Sequence, residues 1–188
     1  MCDGARGMAT NPKGLAVKIQ QRLGAEITRA CTGTLVPDEF LAGLIGIENA
    51  RLDPNASRFE AGTYLNLKKL RNPIIFWRKS WNGITQADLK GASDEALINL
   101  ATSFGYTQIM GWWSIHLKCT VADIRDPQKH LGIAVRLLHR VAGRQLKDQT
   151  FGPVFRIWNT GQPNGKTYDP DYVANGVAVM RAYGALAH

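Results

Sequence analysis

Apolar side chains recur along this chain at three- and four-residue intervals, in separate blocks. That is the period of helices packed on one face. Leu15, Ile19, Leu23 and Ile27 follow Asn11-Pro12 at four-residue spacing. A capping side chain followed by a residue whose φ suits the first helical position predicts a helix from there to a break at Cys31 to Thr34. A second helix starts near Pro37, with Asp38 and Glu39 at its positive end, and runs through Phe40, Leu41, Leu44, Ile45 and Ile47 to about Ala50. Asp53-Pro54-Asn55 then turns the chain. Tyr64, Leu67 and Leu70 predict a helix from Thr63 to Arg71, and Ser93 caps one through Leu97 and Leu100. Ser103 to Gly105 interrupts, a short helical piece is expected around Thr107 to Met110, and Trp112 to Cys119 is expected to be helical. Asp126-Pro127 announces a helix through Leu131, Val135, Leu138 and Val141 to Gly143. Phe151 to Trp158 gives another, and Asp169-Pro170 opens the last, with Val173, Val177, Met180 and Tyr183 on one side. Alternating stretches are confined to the neighbourhoods of Phe59 and Ile75, and Pro73 to Gly83 follows no clear period. The expected fold class is mainly α, with about eight helices and one small β-hairpin. One domain over 13–188 is expected behind an N-terminal extension, 1–12.

Composition narrows the class. The chain has 188 residues, 45% hydrophobic and 20% charged, enough for a core that needs no staples. Lys and Arg number 23 against 15 Asp and Glu, a net charge of +8 that draws the protein toward polyanions: nucleic acid, anionic lipid or the bacterial wall. No dense basic tract of the nucleic-acid type is present; Arg71, Arg78 and Lys79 are separated by Ile74, Ile75, Phe76 and Trp77. Arg136, Arg140 and Arg144 share a helix face, which is more often solvated than a recognition surface, and no nucleic-acid partner is expected. Cys2, Cys31 and Cys119 form no CxxC pair, which argues against a disulfide scaffold and a zinc site, while one bridge such as Cys31–Cys119 stays open. His116, His130, His139 and His188 lack metal-ligand spacing, so no metal or other cofactor is expected and the histidines are taken as solvated or satisfied. The first residues do not form a basic stretch followed by an apolar one, so a secretory signal is not expected. No run of about 18 apolar residues predicts an integral membrane segment. A monomer is expected.

One carboxylate is out of place. Leu41, Leu44 and Ile45 lie seven, four and three residues before Glu48, on the same face, so an acid stands where the apolar stripe calls for a core residue. It also stands in the last turn, where the helix dipole opposes negative charge. Both effects favour the protonated form, which is what a general acid needs. The alternatives are a Glu paired with a buried Arg and one fraying into solvent.

Three ordered segments add to this. Gly46-Ile47-Glu48-Asn49-Ala50-Arg51-Leu52-Asp53-Pro54-Asn55-Ala56-Ser57 resembles the first motif of the soluble lytic transglycosylases and goose-type lysozymes, a helix ending in Glu ahead of a stretch close to Asn-Pro-Asn-Ala. Ser103-Phe104-Gly105-Tyr106-Thr107-Gln108-Ile109-Met110 resembles their second, and Trp158-Asn159-Thr160-Gly161 their third, with Tyr172-Val173 beyond it. Ser57-Arg58-Phe59-Glu60 and the run from Gly105 to Gly111 also resemble phage-type N-acetylmuramidases. The resemblance spans Gly46 to Val173. It implies a lysozyme-like fold and cleavage of bacterial peptidoglycan strands, as a muramidase of the endolysin or virion-associated kind or as a lytic transglycosylase. It implies Glu48 as catalytic acid/base. Ser57, Ser103, Tyr106, Gln108, Met110, Trp158 and Asn159 would contact substrate, and Tyr172 would lie near the catalytic carboxyl. Asn49 stands where Ser is usual, Tyr106-Thr107 where Leu-Met or Leu-Phe is usual, and Trp158 where Tyr is usual.

Two mechanisms follow. With a second carboxylate, Glu60 first and Asp53 behind it, water resolves the reaction and the product is a reducing sugar. Without one, the N-acetyl group of the substrate assists and its 6-hydroxyl attacks, giving a 1,6-anhydro sugar. A structural role for Glu60 is an ion pair with Arg58 or Arg71. Trp112 and Trp113 are adjacent, so on a helix one faces the core and the other can line a groove. The rival from another class is a non-catalytic wall-binding or phage structural protein on the same fold.

Overall fold

Asn11 opens the first helix as its position predicts: its side chain accepts from the Gly14 N–H at 2.8 Å, and Pro12 takes the first helical position. The computed structural model describes residues 11–72 and 80–186. In chain order these form α1 (Pro12–Cys31), α2 (Asp38–Glu48), β1 (Ser57–Phe59), α3 (Ala61–Arg71), β2 (Ser80–Trp81), β3 (Ile84–Thr85), a 3-10 turn (Ala87–Leu89), α4 (Asp94–Leu100), β4 (Thr102–Phe104) and β5 (Ile109–Met110). There follow α5 (Trp113–Leu117), α6 (Val121–Arg125), α7 (Pro127–Lys147), α8 (Phe151–Thr160) and α9 (Tyr172–Gly184). The fold is mainly α, as expected, with nine α-helices among the described residues. None is long and apolar enough to cross a membrane. Most of the expected extension 1–12, together with Cys2, Ile75, Trp77 and His188, lies outside the described residues.

The chain divides into two compact units, Met1–Asp53 with Leu131–His188, and Pro54–His130. In the first, α2 is wrapped by α1 and α9, and its residues from Phe40 to Gly46 are all buried. Phe40 stacks on Phe151 and packs at a tilt against Phe155, with ring centroids 5.4 and 4.6 Å apart, which ties α8 to α2. The expected end of α7 at Gly143 is marked by non-helical angles at Ala142, after which the helix resumes to Lys147. Arg136, Arg140 and Arg144 are exposed on it, and Arg144 lies 3.9 Å from Asp148. Among the described residues no disulfide joins Cys31 to Cys119, so the open pairing between them does not form.

The second unit has its core in Leu67, Leu70, Ile84, Leu89, Leu97, Ala101 and Trp112. Arg71 ties α3 to the start of α4, donating to Ala92 O at 2.8 Å and pairing with Asp94 at 2.5 Å. Trp112 is buried and stacks on Trp113 at 4.2 Å, and half-buried Trp113 packs against the same core rather than turning away from it. A three-stranded antiparallel sheet in the order β1-β4-β5 pairs Ser57 with Phe104 and Ser103 with Met110. The helical piece expected around Thr107 to Met110 is therefore a turn followed by a strand. Gly105 has φ +72° and Gln108 φ +53°, left-handed conformations that no helix continues. A second pair, β2 with β3, brings Trp81 opposite Ile84. α6 was not signalled by apolar period; Thr120 and Asp123 build a capping box around its first turn.

Candidate functional site

Glu48 is carried at the C-terminal end of α2 and is half-buried. Its surroundings are set by an unusually close helix approach. A Cβ added at Gly43 would lie 2.7 Å from Gly176 O, and one added at Gly176 would lie 2.8 Å from the Phe155 ring. Only glycine fits at either place. This approach of α2 and α9 brings Tyr172, the first residue of α9, to Glu48. Tyr172 is buried and its phenol O–H donates to Glu48 Oε1. The side chain of Asn159, in the last turn of α8, hydrogen-bonds the same phenol. Burial first, then the charge of Glu48 and the hydrogen bond to it, hold the Tyr172 pKa well above its ordinary value. A phenolate there would set a second negative charge beside a carboxylate with little water to screen it. The proton therefore stays on the tyrosine, and Glu48 accepts.

Past Glu48 the chain turns at once, and Asn49 fixes the turn. It is buried, its Nδ2 donates to Asp53 O at 2.7 Å, and its Oδ1 accepts from Asp53 N at 3.2 Å. Arg22 clasps the turn from α1 by donating to Leu52 O at 3.1 Å. The amide of Asn49 spans donor and acceptor together. Asp53, the reserve candidate for a second carboxylate, offers its backbone to this turn and is exposed. Trp158 is half-buried one residue before Asn159 on α8.

The other residues singled out from sequence lie in the second unit. The Ser103 hydroxyl donates to Gln108 Oε1 at 2.9 Å, and Gln108 Nε2 donates to Gly105 O at 2.9 Å, so the second motif closes on itself. Beneath it is a histidine whose part sequence reasoning missed. His130, 1% exposed, accepts at Nε2 from the Thr107 N–H at 3.1 Å and lies 2.9 Å from the Thr107 hydroxyl, while its Nδ1 bonds Ile124 O at 2.8 Å. A Cβ at Gly105 would sit 2.6 Å from the same ring. The turn that presents Gln108 is thus moulded on His130, which is satisfied, as expected of these histidines, and which burial pushes down to a pKa of about 4. Tyr106 is buried with its ring 6.0 Å from His130. Met110 is half-buried against the core of the unit, and Ser57 is exposed on β1. Glu60 heads α3 and pairs with Arg58 Nε at 2.7 Å, the first of the two partners considered for it.

The arrangement joins Glu48, Asn159 and Tyr172 into one cluster and Ser103 and Gln108 into another, each within its own unit. Among the described residues, no group of His, Cys, Asp and Glu side chains is gathered as a metal centre would require. No family model, characterised protein or solved structure matches the chain.

Proposed function

We propose that this protein cleaves the β-1,4 bond between N-acetylmuramic acid and N-acetylglucosamine in peptidoglycan, with Glu48 as general acid and then general base. The observation that carries this reading is the Glu48–Tyr172–Asn159 cluster. Three residues that the motif resemblance assigns to the reacting end of the site, drawn from three helices, meet through one phenol. Protonated Glu48 delivers its proton to the glycosidic oxygen as the bond to the anomeric carbon breaks. Tyr172, which keeps its own proton, then donates to the carboxylate that remains, and a hydrogen bond to a charged acceptor is a strong one. The net charge of +8 suits an enzyme that works on an anionic wall.

The pairing of Glu60 with Arg58 supports the form of the reaction in which Glu48 is the sole catalytic carboxylate. In that form the acetamido oxygen of the substrate attacks the anomeric carbon. The 6-hydroxyl then displaces it and returns its proton to Glu48, leaving a 1,6-anhydro end. The muramidase form, with Glu60 activating water, would leave a reducing end. Mass spectrometry of purified peptidoglycan after digestion tests both. Anhydro ends that vanish in Glu48→Gln are expected. Reducing ends would transfer the role of base to Glu60. No soluble product from the wild-type protein would overturn the enzyme reading in favour of a wall-binding protein.

A further inference from the structure

Arg125 ends α6 with its guanidinium carbon 5.5 Å from the centroid of the Phe104 ring. The acids nearest to it in sequence are already engaged: Asp123 and Asp126 lie 2.6 and 3.8 Å from Lys129 Nζ. Arg58, Arg71 and Arg144 each have a carboxylate, whereas Arg125 has none among the described residues. A cavity of about 60 Å³ opens beside it, lined by Pro54, Asn55, Ala56, Ser57, Phe104 and Arg125. Its walls are fixed without help from a ligand. Gly105 N donates to Ala56 O at 2.8 Å, and Ser57 pairs in register with Phe104, which is 6% exposed. A guanidinium held over an aromatic ring keeps N–H donors for a planar acceptor, and two parallel N–H bonds to a carboxylate are the geometry it serves best. A water needs roughly 10–15 Å³ of such space, so the cavity holds about four heavy atoms, the size of a carboxylate and the carbons that carry it. Pro54, Ala56 and Phe104 offer those carbons apolar contact.

We propose that this cavity is a carboxylate-binding site, with Arg125 as its anchor, and that the carboxylate it takes is that of a peptide stem on the glycan strand. The second half of this proposal rests on the peptidoglycan reading above. The sugar backbone is neutral where its lactyl groups are amide-linked, whereas the stems end in free carboxylates, so Arg125 would make the protein a reader of stems as well as of sugar.

The test has two arms. In the first, the ¹⁵N-labelled protein is titrated with N-acetylalanine and, separately, with its neutral amide at equal ionic strength, and amide resonances are followed by NMR. Saturable shifts at Ser57, Phe104 and Arg125 with the acid alone are expected, weakened by about tenfold or more in Arg125→Gln, the loss typical of a hydrogen bond to a charged group. Equal shifts with the amide, or unchanged affinity in Arg125→Gln, would overturn the site. This arm does not depend on catalysis, so it stands even if the peptidoglycan reading fails. In the second, digestion of peptidoglycan with free stem carboxylates is compared with that of the same material after those carboxylates are amidated. Faster cleavage of the strands with free stem carboxylates by the wild-type protein, with the preference lost in Arg125→Gln, is expected. Binding of N-acetylalanine with no such preference would overturn the stem as source and leave a free carboxylate as the ligand.

Discussion

The phenol of Tyr172 donates to the carboxylate of Glu48, a residue 124 positions earlier in the chain. The bond gives the acid a partner that stays protonated, because burial and the neighbouring charge both oppose the phenolate. Tyr172→Phe removes the donor and little else. Cleavage is expected to fall by about tenfold or more, and unfolding in urea to show a loss of about 1–3 kcal/mol from the hydrogen bond to a charged group that is removed. Unchanged turnover with unchanged stability would make the contact incidental.

The same pair gives a spectroscopic prediction. In Glu48→Gln the charge beside the phenol is gone while burial remains, so Tyr172 is expected to ionise at lower pH than in the wild-type protein. An alkaline titration of tyrosine absorbance, with Tyr172→Phe to identify the residue, reads the shift. A titration identical to wild type would place the cause in burial alone.

Glu60→Gln is expected to leave cleavage within about twofold of wild type. Its bond to Arg58 is exposed, and such pairs are worth about 0–1 kcal/mol, so the fold should not suffer either. A loss of activity of a hundredfold or so, with the fold intact, would make it the catalytic base.

His130 predicts how stability follows pH. The group titrates near 6.5 in the unfolded chain and at about 4 in the fold, where burial opposes its charge. The unfolded chain therefore binds the extra proton across that window, and stability falls as the medium is acidified through it. The contribution is complete above about 6.5 and lost by about 4, roughly 3 kcal/mol in all. Urea unfolding at several pH values should show the slope, and His130→Gln should flatten it.

Gly105→Ala is expected to lose about 2–3 kcal/mol and to disturb the resonances of Gln108. The position needs φ +72°, and a methyl group there meets the His130 ring. A fully stable variant with the wild-type Gln108 environment would mean that the turn is not moulded on the imidazole.

What the sequence disclosed about the fold was mostly local. Asn11, Ser93 and the Asp126-Pro127 pair mark helix starts because capping is decided by neighbours a few residues away. The capping box of Thr120 and Asp123 was equally local and could have been found. The strand at Ile109–Met110 could not. Its partners, Thr102 to Phe104, pair in turn with Ser57 to Phe59, some 45 residues earlier, and no local period reports such pairing. The candidate site divides the same way. Glu48 stood out because it breaks an apolar stripe, and motif order pointed to Tyr172. Nothing near His130 in sequence says that it supports Thr107, nor does anything near Arg125 say that it lies on Phe104.

The contact between Gly43 and Gly176 makes the Glu48–Tyr172 pair sensitive to changes made elsewhere. A methyl group at Gly43 meets the Gly176 carbonyl and one at Gly176 meets the Phe155 ring, so either shifts the packing around α9, and a hydrogen bond tolerates far less displacement than a hydrophobic core does. In a library of random substitutions, inactive but folded variants should therefore collect at these two inert positions, a full turn or more from any group that does chemistry. On the proposed function, the same pressure over evolutionary time would keep both glycines as constant as Glu48.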